Sequence, residues 1–400
     1  MADVASATLS HVNQWRPKPA ELSIRTWYPL SGQLSIARCD HRVCASLIAK
    51  IMIIFVSTQR FSAPALRLRR RLPPELKRQF RHLSYEELLF ERASPIGHYI
   101  LTDFDRLTRY EIECVAAFAA ALRKVAPEAK VLNDPVRVLE RTPLLAALHA
   151  CGINDFVATR LDTGERPNRY PVFVRAEDGY AGPETGLLQN KDELETALAE
   201  LSLRGLPLKG RIAVGYAAEP GADGLFRRYC AFNVGGEVFA YQLHRSRHWV
   251  VKRNFPIFDG SVSASDDLQN TAEARAELLG FVRENPHTEK LAEAFHVAGI
   301  DFGRADYGIV GGRVQIYEIN TNPNAPHSRR LSSNPERIDI IDTHMLPALK
   351  RINVPINVRG RVSFRETRPR VHDIRYPRSR LPISIVRKIG DRIRQPKRIN

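Results

Sequence analysis

Four polar side chains set into an apolar stretch near the end of the chain have the types and spacing to act together: Arg304, Asp306, Glu318 and Asn320. Ala305–Val310 and Val314–Ile319 are rich in β-formers, and Gly311-Gly312 between them can take the positive φ of a hairpin turn. Glu318 and Asn320 stand two apart, so a strand turns both to one face. Two carboxylates and an amide oxygen on such a surface suit one or two Mg²⁺ ions, or Mn²⁺, held against substrate phosphates. A strand that simply runs into the turn Asn-Thr-Asn-Pro would also present Glu-x-Asn, and Arg304 could simply pair with a local carboxylate. Eleven residues separate Asp306 from Glu318, so the two oppose each other only if the turn has an odd number of central residues or a strand bulges. A three-residue Gly311-Gly312-Arg313 loop, or a bulge, is therefore expected. Carboxylates on opposite faces would exclude a shared metal.

The elements that must position this hairpin follow from periodicity. Ile51–Val56 reads as the first buried strand, Tyr99–Thr102 as a second and Lys130–Leu132 as a third, with helical spacing over Arg106–Val125. That order suggests a small α/β layer. Arg141–Cys151 reads as a helix with Pro143 in its first turn and Gly152 after it. Strands are expected at Asp155–Thr159 and Tyr170–Arg175, followed by a loop at 176–186 containing Gly179, Gly182 and Gly186. Asn190 caps a helix from Lys191 to about Leu203, with Glu193 placed for a capping box. Strands at Arg211–Ala217, Arg227–Val234 and Glu237–Leu243, helices at Thr271–Arg283 and Thr288–His296, and a last amphipathic helix at Pro335–Arg351 complete the order. No internal repeat is present.

Arg304-Ala-Asp306, the glycine turn and Glu318-Ile-Asn320-Thr-Asn-Pro323 together resemble the metal and catalytic hairpin of the ATP-grasp superfamily, whose members include D-alanine–D-alanine ligase, glutathione synthetase and ribosomal-protein glutamate ligase. The resemblance covers about Ile51 to Leu349. It implies a mixed α/β and α+β fold: an N-terminal α/β domain plus two α+β lobes holding ATP between them. On that basis residues 1–50 are an extension, 51–135 the N-terminal domain, 136–208 the small lobe with its glycine-rich loop, 209–350 the large lobe with the metal hairpin, and 351–400 a basic tail. The resemblance also implies that Asp306, Glu318 and Asn320 hold Mg²⁺, and that Arg304 faces the transferred phosphate. Arg141 and Arg175 would contact ATP phosphates where such ligases usually carry lysines, a non-equivalent exchange because arginine is larger and binds as a fork. Gly179 and Gly182 would belong to the phosphate-covering loop, and Glu219 would hold the ribose near a hinge at Val214–Glu219. The implied activity is an ATP- and Mg²⁺-dependent ligase joining small-molecule carboxylate and amine substrates. An ATP-grasp kinase would use the same hairpin on a hydroxyl, and a nucleotide-binding protein with weakened catalysis would keep the fold alone.

Charge narrows the partners. Residues 351–400 carry 15 Lys/Arg against 3 Asp/Glu, so +12 of the net +16 belongs to that end. The Arg/Pro-rich tail lacks both a core pattern and a base-readout motif, and is expected to be solvated, with nucleic acid not a partner. Arg67 and Arg69–Arg71 form a further basic cluster, expected on a solvated helix face or loop. His244–Lys252 is dense in basic and aromatic residues and suits either an acidic ligand or a solvated loop. The five cysteines include no CxxC pair, which points to reduced thiols, no zinc site and a cytoplasmic setting. Leu47–Val56 contains Lys50 and is far shorter than the roughly 20 apolar residues of a membrane span. Residues 1–45 carry no apolar secretory core. Met52 would be a natural first residue of the folded body.

Overall fold

The computed structural model describes residues 52–178, 182–252, 255–256, 262–263, 266–326, 329–332 and 334–377. The first layer is a parallel sheet. Strands β1 (Ile53–Ser57), β2 (Phe80–Ser84), β4 (His98–Leu101) and β5 (Val131–Leu132) stand in the order β2-β1-β4-β5. Helices α1 (Ala63–Arg71), α2 (Pro74–Gln79), α3 (Tyr85–Glu91) and α4 (Arg109–Val125) connect them, with β3 (Ala93–Pro95) outside the sheet. Capping boxes start α3 at Ser84/Glu87 and α4 at Thr108/Glu111, where side chains satisfy backbone donors at the helix start.

The second layer is antiparallel: β6 (Ala158–Arg160), β7 (Val172–Ala176) and β8 (Arg211–Gly215) stand as β6-β8-β7, with α5 (Arg141–Ala150) and α6 (Lys191–Leu203). The boundary expected after residue 208 therefore falls too early, because β8 completes this sheet. The third layer carries β9 (Phe226–Val234), β10 (Glu237–Ser246), the short pair β11 (Phe255–Pro256) and β12 (Val262–Ser263), and helices α7 (Asp266–Gln269), α8 (Ala272–Glu284) and α9 (Thr288–Ala298). Then come β13 (Phe302–Val310), β14 (Arg313–Asn320) and α10 (Pro335–Ile352). Its main sheet is antiparallel, in the order β10-β9-β13-β14.

Two polar clamps fix the last hairpin against the parallel sheet. Buried Asn133 donates to Leu101 O and Phe302 O and accepts from the backbone N–H groups of Asp301 and Phe302. Asp103 N–H donates to Thr321 Oγ1, and Asn322 Nδ2 donates to Asp103 Oδ1. The free edge of β14 is covered by Asn154, which exchanges hydrogen bonds with Ile316 N–H and O.

The segment after α10 corrects the expected solvated tail. Its described part forms β15 (Arg361–Ser363), which pairs with β3, and α11 (Pro369–Arg375). Ile356, Val362 and Phe364 are buried in the core of the parallel layer, and His372 bridges Tyr110 Oη and Leu89 O. Apolar residues spaced too irregularly to show a period pin this basic segment down. The basic cluster lies on α1, with Arg69 and Arg70 exposed as expected and Arg71 the exception. The Arg71 side chain is almost fully covered and pairs with Asp342 of α10, since a guanidinium reaching into a packed interface needs a counter-charge. No helix among the described residues is long and apolar enough to cross a membrane.

Candidate active site

The hairpin turn is a two-residue one. Val310 pairs with Arg313, and Gly311 and Gly312 take φ of 54° and 76°. The three-residue loop is thus not formed, and the alternative expectation, a bulge, supplies the odd residue. Asp306 pairs with Glu318 but Tyr307 pairs with Ile316, which leaves Tyr317 as the extra residue. The bulge turns Asp306 and Glu318 to the same face.

That face forms the floor of a cavity of about 530 Å³, within the range of small-molecule sites. Arg141, Arg175, Gly182, Arg304, Asp306, Glu318 and Asn320, all singled out from the sequence, line it. Glu219 does not line it; its Oε1 accepts the Gly311 N–H at 2.9 Å, tying the hinge region to the hairpin turn. Gly179 lies outside the described residues. His244, Trp249, Val250, Val251 and Lys252 also line the cavity, which places one side of that basic-aromatic stretch at the site.

Five cations (Arg141, Arg175, Arg228, Lys252 and Arg304) face two carboxylates, Asp306 and Glu318, in this lining. Arg304 grips Asp306 as a fork, Nε to Oδ1 at 2.7 Å and Nη2 to Oδ2 at 2.9 Å, and Arg228 stands 3.6 Å away. Arg141 at the start of α5 joins two layers, donating to Glu177 O at 2.9 Å and to Glu318 Oε2 at 2.5 Å. Asn320 Nδ2 donates to Glu318 Oε1 at 3.1 Å. Burial alone would raise both carboxyl pKa values, but the arginines more than offset it and hold both below the ordinary range. Burial, followed by repulsion from Arg141, pulls Arg175 down to about 10, and burial and Arg175 lower Lys252.

Arg228 is the functional candidate that sequence reading missed. It sits inside β9, where its proximity to Asp306 depends on the β9–β13 pairing and leaves no local signal. The other end of the cavity is apolar and aromatic: Leu145, Phe156, Phe173 and Val214 line it with Trp249, whose ring lies 5.0 Å from that of Phe173 and 5.9 Å from that of Tyr216.

The chain is similar to solved structures of ATP-grasp ligases. D-alanine–D-alanine ligase from Bacillus anthracis shares 13% identity over 76% of this chain and 97% of that one, with a TM-score of 0.43. The ATP-grasp ligase PsnB, solved with a precursor peptide and AMPPNP, shares 12% identity over 76% of this chain and 98% of that one (TM-score 0.40). L-amino acid ligase from Bacillus licheniformis shares 12% over 75% and 74% (TM-score 0.38). No protein-family model and no curated protein matches the chain. At these TM-scores the similarity carries no weight on activity, which is argued below from the site's own residues.

Proposed function

We propose that the protein is an ATP- and Mg²⁺-dependent ligase that joins a carboxylate to an amine through an acyl phosphate. The observation that carries this proposal is the charge pattern of one cavity: five cations against two carboxylates, beside an aromatic slot. A polyphosphate suits a lining this rich in guanidinium and ammonium groups, and a nucleobase suits the apolar surface that Phe173, Trp249 and Tyr216 form together. Asp306, Glu318 and Asn320 are a hard-oxygen set on facing strands, which fits Mg²⁺. When bound there, Mg²⁺ would neutralise phosphate oxygens during transfer.

The chain's own residues have distinct tasks. Arg141, Arg175 and Lys252 bind the polyphosphate. Arg228 and Arg304 sit nearest Asp306 and stabilise charge on the transferring phosphoryl group. A substrate carboxylate oxygen attacks the γ-phosphorus, and the bond to ADP breaks. The amine nitrogen then attacks the acyl carbon, phosphate leaves, and the amine gives up a proton. The net change is ATP, carboxylate and amine to ADP, phosphate and amide.

An ADP-release screen over amino acids and small carboxylates tests this. ADP and phosphate should appear only when both a carboxylate and an amine are supplied. Glu318→Ala should cut kcat by roughly 100-fold or more, because it removes an interaction concentrated in the transition state. Turnover on a hydroxyl substrate alone would favour a kinase, and activity unchanged in Glu318→Ala would remove the hairpin from the reaction.

A further inference from the structure

Next to the phosphate-binding face lies a second group of guanidinium side chains that the ligase reading does not use. Strand pairing aligns Glu318, Asp306, Cys230 and Gln242 in one row across the four strands. Arg337 of α10 continues this row at the β10 end. Its Nη1 donates to Gln242 Oε1 and to Tyr241 O, and its guanidinium stands 5.3 Å from the centre of the Tyr241 ring. Arg71 of α1 is almost fully buried nearby, paired with Asp342 and 3.9 Å from Met345 Sδ. Arg67, one turn earlier on α1, donates to Asn324 Oδ1 at 3.3 Å, and Asn324 lines the cavity.

The charges here are unequal. Asp342 is taken by Arg71, and Asp306 by Arg304 and Arg228. Among the described residues no carboxylate lies within ion-pair distance of Arg337 or Arg67, and the Arg337 Nε is buried without a hydrogen-bond partner. A buried donor left unpaired is costly, so an arginine kept here for packing alone would be better replaced by an apolar residue. Burial, with a smaller contribution from Arg337, pulls the Arg71 pKa down against Asp342, as expected where cations outnumber anions.

We propose that the carboxylate substrate carries a second oxyanion that reaches past Asn324, beyond the cavity lining itself, to the guanidinium groups of Arg67 and Arg337. Guanidinium forks match carboxylate and phosphate oxygens, and a charge fixed at this end orients the carboxylate to be activated toward Arg304. The assignment rests on the ligase reading of the same site.

Isothermal titration tests it, using the full chain with AMPPNP and Mg²⁺ and two matched probe pairs: L-glutamate against L-glutamine, and O-phospho-L-serine against L-serine. The acid of at least one pair should bind about 10-fold tighter or better than its neutral partner. Arg337→Gln and Arg67→Gln should each reduce that preference by about 10-fold while AMPPNP affinity stays within about 2-fold, and Arg337→Lys should recover part of it. Arg67 touches only one amide, so its variant carries the test even if Arg337→Gln unsettles α10. Equal binding within both pairs, or a preference that survives both substitutions, overturns the proposal while leaving nucleotide binding intact. Failure of the wild type to bind AMPPNP would instead overturn the ligase reading, and this assignment with it.

Discussion

Gly308→Ala strikes the bulge that brings the two carboxylates together. A Cβ at Gly308 would lie 2.0 Å from Tyr317 Oη and 2.8 Å from Cζ, so the Tyr317 ring must move. That ring belongs to the extra residue of the bulge, and its hydroxyl donates to Ala217 O at 2.9 Å, next to the aromatic slot. Overpacking of this kind costs about 1–3 kcal/mol, and loss of the half-buried hydrogen bond about 1–2 more, for roughly 2–5 kcal/mol in all. At this chain length the melting temperature should fall by roughly 3–8 °C. Nucleotide KM should rise as well, because Tyr317 lines the cavity and precedes Glu318. Tyr317→Phe separates the causes. It removes the hydroxyl at a cost of about 1 kcal/mol, and the double variant should be more stable than the sum of the single effects by about 1 kcal/mol or more. Differential scanning calorimetry on the four proteins, with nucleotide kinetics alongside, makes the measurement. A Gly308→Ala melting temperature within about 1 °C of wild type, or an additive cycle, would refute the claim that Tyr317 sets the bulge.

Two further outcomes concern the frame around the site. His98 is buried with both ring nitrogens engaged: Nε2 lies 2.7 Å from Val354 O, and Nδ1 accepts the Lys130 N–H at 3.0 Å. Burial lowers its pKa below the ordinary histidine value of 6.5. The unfolded chain therefore takes up the proton first, so His98 favours folding above about pH 6.5 and loses that contribution as pH falls through its folded pKa. Thermal melts of wild type should drop between pH 7 and pH 5, and the drop should be smaller in His98→Phe; equal slopes would remove His98 from the effect. Stopping the chain after Asn353 would expose the partners of Ile356, Val362 and Phe364, whose burial is worth about 5–9 kcal/mol. The shortened chain should be insoluble or melt far below wild type, and an unchanged melting curve would show that the segment adds nothing.

The sequence revealed what is local or strongly periodic. The helix predicted from Lys191 to about Leu203 is α6, since Asn190 accepts the Glu193 N–H and an apolar stripe continues from it. Both Gly-Gly hairpins were legible because only glycine takes two successive positive φ angles easily. The first helices and β2 were not. Helix α1 buries only Ala65 and Leu68, one contact pair on an arginine-rich segment, which is too short to set a period. The hairpin shows where such reading stops. Parity required an odd residue between Asp306 and Glu318, which sequence could state, but whether turn or strand supplied it depended on Gly308. Without a side chain at 308, the Tyr317 ring can cross the sheet to reach Ala217, and the strand bulges rather than the turn. The same dependence on pairing hid the cation excess. Arg141, Arg175, Arg228, Lys252 and Arg304 come from five separate segments, and although the resemblance singled out Arg141, Arg175 and Arg304, nothing in the sequence shows that all five share one cavity. They meet in one cavity only when β9 pairs with β13 and α5 lays Arg141 against Glu318. Under the proposed reading, that gathering of cations around Asp306 and Glu318 is the surface an anionic ligand would meet.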